Sequence, residues 1–163
     1  MIFILLLTTK YMKVKDVMTP RPLALQKNHT LNDALKVMRQ QGIRECPVVH
    51  KNRLIGIITE SDITKAVDVH NKINKIDDLP LVLLNAIIGN YDGMKVEMKN
   101  ALNKKVHEVM TRKLITVSPD QDLYHAMKLI NKHDIRSLPV VDGRTLKGII
   151  SRTDVIRKLS ENQ

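Results

Sequence analysis

Apolar residues fall at helical spacing twice along this chain, and each time two short apolar runs follow. The first stripe is Leu31, Ala34, Leu35 and Met38, at positions i, i+3, i+4 and i+7. Thr30 precedes it as an N-cap, with Asp33 three residues on in a near capping box. Gly42 is placed to stop that helix. The second stripe is Leu123, Ala126, Met127 and Ile130, with Asp122 as its cap. His133-Asp134 takes the place of the glycine there, so that helix end is less sharply specified. The runs after the helices read as strand pairs: Cys46-Pro-Val-Val49 with Leu54-Ile-Gly-Ile-Ile58, and Leu138-Pro-Val-Val141 with Leu146-Lys-Gly-Ile-Ile150. His50-Lys-Asn-Arg53 and Asp142-Gly-Arg-Thr145 read as hairpin turns. Pro47 and Pro139 are expected at strand starts, where a missing N–H is tolerable. Shorter extended segments, Leu23-Ala-Leu25 and Leu114-Ile-Thr-Val117, precede the helices. A closing helix is expected from Ser61, and again from Thr153, both good N-caps. The order in each copy is strand, helix, strand, strand, helix.

The two copies are one segment repeated. Shifted by 92 positions, the chain aligns with itself without a gap, and 17 of the 50 residues from Val14 to Ile63 equal their counterparts. Val14-Lys-Asp-Val-Met-Thr19 lies over Val106-His-Glu-Val-Met-Thr111. Ile43-Arg-Glu-Cys-Pro-Val-Val49 lies over Ile135-Arg-Ser-Leu-Pro-Val-Val141. A repeat of this size is marginal alone, so the copies are expected to pack on each other.

Composition narrows the core and the partners. With one Phe, three Tyr and no Trp, the core must be aliphatic, filled by Ile, Leu, Val and eight Met. A net charge of +10 favours anionic partners such as nucleotides, nucleic acid or acidic membrane surfaces, or simply makes a well-solvated basic surface. Cys46 is the only cysteine, which excludes an internal disulfide and suits a reducing cytoplasm. The apolar start, Met1 to Leu7, is too short to span a bilayer, which needs about 20 residues. It lacks the flanks of a signal peptide. Between the copies, 79–88 is apolar enough to be buried, and part of the joining segment is expected to be helical.

Val-Met-Thr, then Ile-Arg-x-x-Pro-Val-Val, then Leu-x-Gly-Ile-Ile-Thr/Ser-x-x-Asp, in this order and twice, resembles a tandem pair of CBS domains, a family named from cystathionine β-synthase. The resemblance implies an α+β fold of two β-α-β-β-α repeats packed by pseudo-twofold symmetry into one module. It divides the chain into an N-terminal extension (1–11), repeat 1 (12–71), an inter-repeat segment (72–103) and repeat 2 (104–163). It also implies adenosine-containing ligands in clefts between the repeats, and a homodimer.

In that frame, Asp62 and Asp154 are candidates to accept both hydroxyls of a ribose. Thr59 and Ser151, three residues earlier at a strand end, would reach the same sugar or its phosphate. The alternative is that the two aspartates are first-turn helix residues favoured by the dipole. Arg44 and Arg136 would contribute a fork of donors to phosphate, or else stand solvated or paired with a carboxylate. Leu23, Ile43 and Pro47, with Ile115, Ile135 and Pro139, would sandwich an adenine ring or form ordinary core. Thr116 adds a hydroxyl in the second site where Ala24 adds none in the first. Met18 and Met110 border these pockets or fill core.

No phosphate loop, dinucleotide-binding glycine pattern, zinc motif or hydrolase nucleophile motif occurs. The chain is therefore expected to bind rather than catalyse, with no cofactor required and with AMP, ADP, ATP or S-adenosylmethionine as a regulatory ligand in the cytoplasm. Output would pass to a separate effector protein. Two other readings stay open: a basic nucleic-acid-binding protein, against which the scarcity of stacking aromatics counts, and a structural dimerisation module with non-functional clefts.

Overall fold

Helices and strands are both present in a computed structural model that describes residues 12–67 and 92–160. The apolar runs at 1–7 and 79–88 lie outside the described residues. The chain is a mixed α+β protein whose described residues divide into two compact units.

One unit gathers the described residues of Met1–Ala24, Val49–Gly56 and Arg112–Gln163. It holds a 3₁₀ turn (Val14–Asp16), β1 (Thr19–Pro20), α5 (Leu123–Lys132), β5 (Ser137–Asp142), β6 (Thr145–Ser151) and α6 (Arg152–Ser160). β5 and β6 form an antiparallel hairpin, in register from Ser137 opposite Ser151 to Asp142 opposite Thr145, with a bulge at Val140/Val141. Gly143 turns it with φ 60°, the left-handed conformation a tight hairpin needs at that point. On the other side of β6 lies β1, with Thr19 opposite Ile149 and Pro20 opposite Gly148. That approach depends on Gly148. A Cβ there would collide with the Met18 sulfur and stand 3.0 Å from the Thr19 carbonyl oxygen. The aliphatic core joins Val14, Val17, Leu123, Ile130, Leu138 and Ile150.

Segment 12–17, which opens the first sequence repeat, is stitched to the helix of the second. Val14 N–H donates to the Gln121 carbonyl at 2.9 Å, and Leu123 N–H donates to the Met12 carbonyl at 2.9 Å. Lys13 and Lys15 pair with Asp122 and Asp120 at 2.6 and 2.7 Å.

The other unit gathers Leu25–Val48 and the described residues of Ile57–Thr111. It holds β2 (Leu25–Gln26), α1 (Leu31–Gln41), most of β3 (Glu45–His50), the end of β4 (Arg53–Thr59), α2 (Glu60–Val67), α3 (Asp92–Leu102) and α4 (Val106–Val109). The exchange is repeated here. Val106 N–H donates to the His29 carbonyl at 2.8 Å, and Leu31 N–H to the Lys104 carbonyl at 2.9 Å. Thr111 and Ile57 exchange both backbone bonds, at 2.9 and 3.0 Å. Leu31, Ala34, Met38, Cys46, Ile58 and Val106 of this unit are buried. α3 precedes the Val106 entry segment of the second repeat.

The first helix is capped as expected. Thr30 Oγ1 accepts from Asp33 N–H at 3.1 Å, and Gly42 ends the helix at φ 63°. Asp134, its counterpart by the 92-residue shift, adopts the same left-handed conformation at φ 48°, which a short polar side chain tolerates.

Four expectations are corrected. The closing helices begin at Glu60 and Arg152, so Thr59 and Ser151 are the caps and not Ser61 and Thr153. Pro47 and Pro139 are the third residues of their strands, not the first. Leu114 to Val117 forms a single bridge, Val117 with Val140, in place of a strand. Val117 donates to the Pro139 carbonyl and accepts from Val141 N–H, and no second pair follows. The strand expected over Leu23 to Leu25 is reduced to Leu25–Gln26.

Candidate ligand-binding corners

Each closing helix is entered through a hydroxyl and a carboxylate locked together. Thr59 is the last residue of β4, and Asp62 is the third of α2. The Thr59 backbone N–H and hydroxyl donate to Asp62 Oδ2 at 2.9 and 2.7 Å, and Thr59 Oγ1 accepts from Asp62 N–H at 3.1 Å. In the other unit Ser151 and Asp154 repeat the arrangement, at 2.9, 2.6 and 3.2 Å. This is a reciprocal capping box, built of the same bonds as a Ser/Thr-x-x-Glu box with a shorter acid. One oxygen of each carboxylate is thus spent on holding the helix start.

The other oxygen, Oδ1, points elsewhere. Thr111 Oγ1 donates to Asp62 Oδ1 at 3.3 Å, and Thr19 Oγ1 donates to Asp154 Oδ1 at 3.3 Å. Both bonds are long for O–H to carboxylate, so they hold Oδ1 loosely. Both copies keep this hydroxyl at the end of Val-Met-Thr, but no sequence spacing links it to the aspartate. Arg157 also went unremarked. Its Nη2 donates to Asp154 Oδ1 at 3.0 Å. A basic residue one helical turn past a buried acid was the available signal.

The predicted arginines sit beside these corners. Glu60 N–H donates to the Arg44 carbonyl at 3.0 Å, and Arg152 N–H to the Arg136 carbonyl at 3.4 Å. Arg44 and Arg136 are both exposed. Arg44 Nε stands 3.9 Å from Glu60 Oε2, a loose ion pair. Ile43, Ile135, Ile115 and Thr116 are half-buried, and Ile115 and Ile135 pack on the aliphatic core of their unit. Pro47 and Pro139 are buried within their strands, as ordinary core residues are. Leu23 is exposed and lies in a different unit from Ile43, Arg44, Pro47, Thr59 and Asp62. Ile115, Thr116, Ile135, Arg136, Pro139, Ser151 and Asp154 all share one unit.

Beside Pro47, burial pushes the Cys46 thiol up to about 11, against a hydrogen bond from the Leu25 backbone. Among the described residues no group of His, Cys, Asp and Glu is arranged to hold a metal ion. None of the described helices is long and apolar enough to cross a membrane.

A twice-built β-β-α corner closed by Thr/Ser-x-x-Asp defines a class. The CBS domain model matches residues 14–69 and 106–161, and the chain belongs to the CBS domain family. Its sequence is 39% identical over 156 residues to protein MJ1426 of Methanocaldococcus jannaschii, covering 91% of both chains. In two longer relatives from that organism, MJ1232 and MJ1404, the match spans only 40% and 32% of their length. Among solved structures it is similar to the CBS domain pair of protein MJ0100 in complex with 5′-methylthioadenosine and S-adenosyl-L-methionine. That match has 28% identity and a TM-score of 0.63, and covers 91% of this chain and 99% of that one. CBSX2 in complex with AMP shares the fold at 23% identity and a TM-score of 0.68, covering 92% and 97%.

Proposed function

We propose that this protein is a regulatory module that binds an adenosine-containing ligand at its hydroxyl–carboxylate corners and signals by conformational shift. The observation that carries the reading is the corner itself, built twice from one pattern. In each copy Oδ2 is fixed by the cap and Oδ1 takes one long hydroxyl bond from the entry threonine, to which Arg157 adds a 3.0 Å bond at Asp154. A ribose cis-diol presents two donors that suit Oδ1 better than that bond does. Thr59 and Ser151 preset the carboxylate, so ligand binding spends little on ordering it. The adenosyl ligands in the related MJ0100 pair fit the same chemistry.

Ligand would act by binding one arrangement of the module more tightly than another. A homodimer and a separate effector protein are the proposed recipients of that shift. Asp62, Asp154, Thr59 and Ser151 would bind sugar; Arg44 and Arg136 would meet phosphate; Ile43, Ile115 and Ile135 would border the base. The experiment is native mass spectrometry of freshly purified protein. Co-purified adenosyl compound on a dimer supports the reading. Ligand-free protein that also fails to take up AMP, ATP or S-adenosylmethionine would refute it.

A further inference from the structure

The two corners share a carboxylate but differ in the charges around it, and the 92-residue shift makes the difference explicit. Around Asp62 stand Arg44, Glu60 and Lys65. At the matching positions around Asp154 stand Arg136, Arg152 and Arg157. The first set, with Asp62, sums to zero. The second, with Asp154, sums to +2, or +1 once Asp134 is counted, the acid that Arg152 Nη2 contacts at 3.1 Å. The decisive exchange is at the first residue of the helix, where Glu60 is replaced by Arg152.

We infer that the two corners select different ligands: the Asp154 corner takes a 5′-phosphorylated adenosine, and the Asp62 corner takes an adenosyl compound whose 5′ substituent is uncharged or cationic. This rests on the ribose reading given above.

The geometry supports the division. Arg157 holds Asp154 Oδ1 at 3.0 Å, yet its side chain is 61% exposed while that of Asp154 is 11% exposed. A ribose arriving at Oδ1 must compete with that guanidinium. Displacing an exposed arginine costs little, and a ligand phosphate offers it a bidentate partner in exchange. Arg152 stands at the helix N-terminus with a guanidinium already directed at an anion, Asp134, whose side chain is 97% exposed and readily given up. Among the described residues Arg136 has no carboxylate within ion-pair distance. Three arginines therefore stand on the segments that build this corner; Arg136 and Arg152 can turn to a phosphate without leaving a buried charge unpaired, and Arg157 can do so once the ribose takes its place at the buried Asp154.

The Asp62 corner is arranged in the opposite sense. Arg44, the residue best placed for phosphate, already faces Glu60 at 3.9 Å. A phosphate there would meet the Glu60 carboxylate as a like charge. A thioether leaves that pair undisturbed, and a sulfonium or ammonium group gains from it. Lys65 provides a single point charge with no fork, at a place where Arg157 provides one.

The test is calorimetric titration of the full chain with AMP and, separately, with 5′-methylthioadenosine, each alone and after saturation with the other. Wild type is expected to bind the two compounds independently, one of each per chain. Arg152→Gln with Arg157→Gln, both exposed positions, is expected to weaken AMP by about tenfold or more and leave 5′-methylthioadenosine within twofold. Glu60→Arg is expected to add a second AMP per chain. If both compounds bind but compete for one site, or if the arginine variants weaken both alike, the charge-based division is overturned while the ribose reading survives. If neither compound binds wild type, the ribose reading fails, and this inference fails with it.

Discussion

The hydroxyl of Thr111 donates to Asp62 Oδ1 at 3.3 Å, across 49 positions of sequence. It ties the entry segment of the second repeat to the closing helix of the first. The mirror bond, Thr19 to Asp154, spans 135 positions. Each unit is therefore assembled from both repeats. A carboxylate that looks like a local helix cap is also the point where a distant strand is pinned.

The caps set helix stability. Thr59→Ala and Ser151→Ala each remove the hydroxyl that accepts the aspartate N–H and donates to its Oδ2. Each is expected to cost about 1 kcal/mol, read from the midpoint of urea unfolding. Thr59→Ser should recover most of that loss. Equal stability of wild type and both alanine variants would contradict the reciprocal cap.

Gly148 is the seat of the entry segment. A methyl group there meets the Met18 sulfur and the Thr19 carbonyl. Gly148→Ala is expected to destabilise by about 1–3 kcal/mol, through forced displacement of backbone as well as side chain. Thr19 should move with it, so the same variant should loosen the grip on Asp154. A hydrogen-exchange comparison over residues 12–20 would show this as faster exchange.

Cys46 is expected to be silent to thiol reagents at pH 8 in the folded protein and to react on unfolding, because its thiol is pushed up to about 11 by burial. The folded value lies above the ordinary 9.0, so the neutral thiol contributes stability that is fully present below pH 9. That contribution is lost as pH rises towards 11. Subtracting the pH profile of Cys46→Val isolates this loss. A flat difference between pH 8 and 11 would contradict it.

Asp33 works at the acid end. The Thr30 backbone N–H, and then its hydroxyl, hold the Asp33 carboxyl below its usual 3.8. A depressed folded value stabilises above that pH and is lost as pH falls below it. Stability is expected to drop on acidification below about pH 4, and Asp33→Asn should remove that part of the slope.

Much of this was legible in the sequence because the duplication displayed every constraint twice. The stripe from Leu31 to Met38, the Thr30 cap and the Gly42 stop are local features and could be read locally. The threonine of Val-Met-Thr could not, since its partner lies in the other repeat and no spacing rule connects them. Residue type alone offers Ser61 and Thr153 as caps and Thr59 and Ser151 as sugar contacts. The aspartate three residues after each hydroxyl favours the earlier residue, because a box closes from the cap to the third helical position. The segment Leu114 to Val117 is cut to one bridge, Val117 with Val140, which shows only with its neighbour in place. The chemistry of Asp62 and Asp154 was legible as residue type. That one oxygen of each is spent on the helix cap required the structure.

The most direct measurement is calorimetric titration of AMP, ATP and S-adenosylmethionine into wild type and into the double variant Asp62→Asn with Asp154→Asn. The amide keeps the size of the carboxylate and can still accept from Thr59 and Ser151. Wild type is expected to bind at least one of these compounds and to gain about 2.7 kcal/mol of stability at 100 times its dissociation constant. The folded double variant should bind none measurably. Equal affinity in the two proteins would show that neither aspartate holds a sugar.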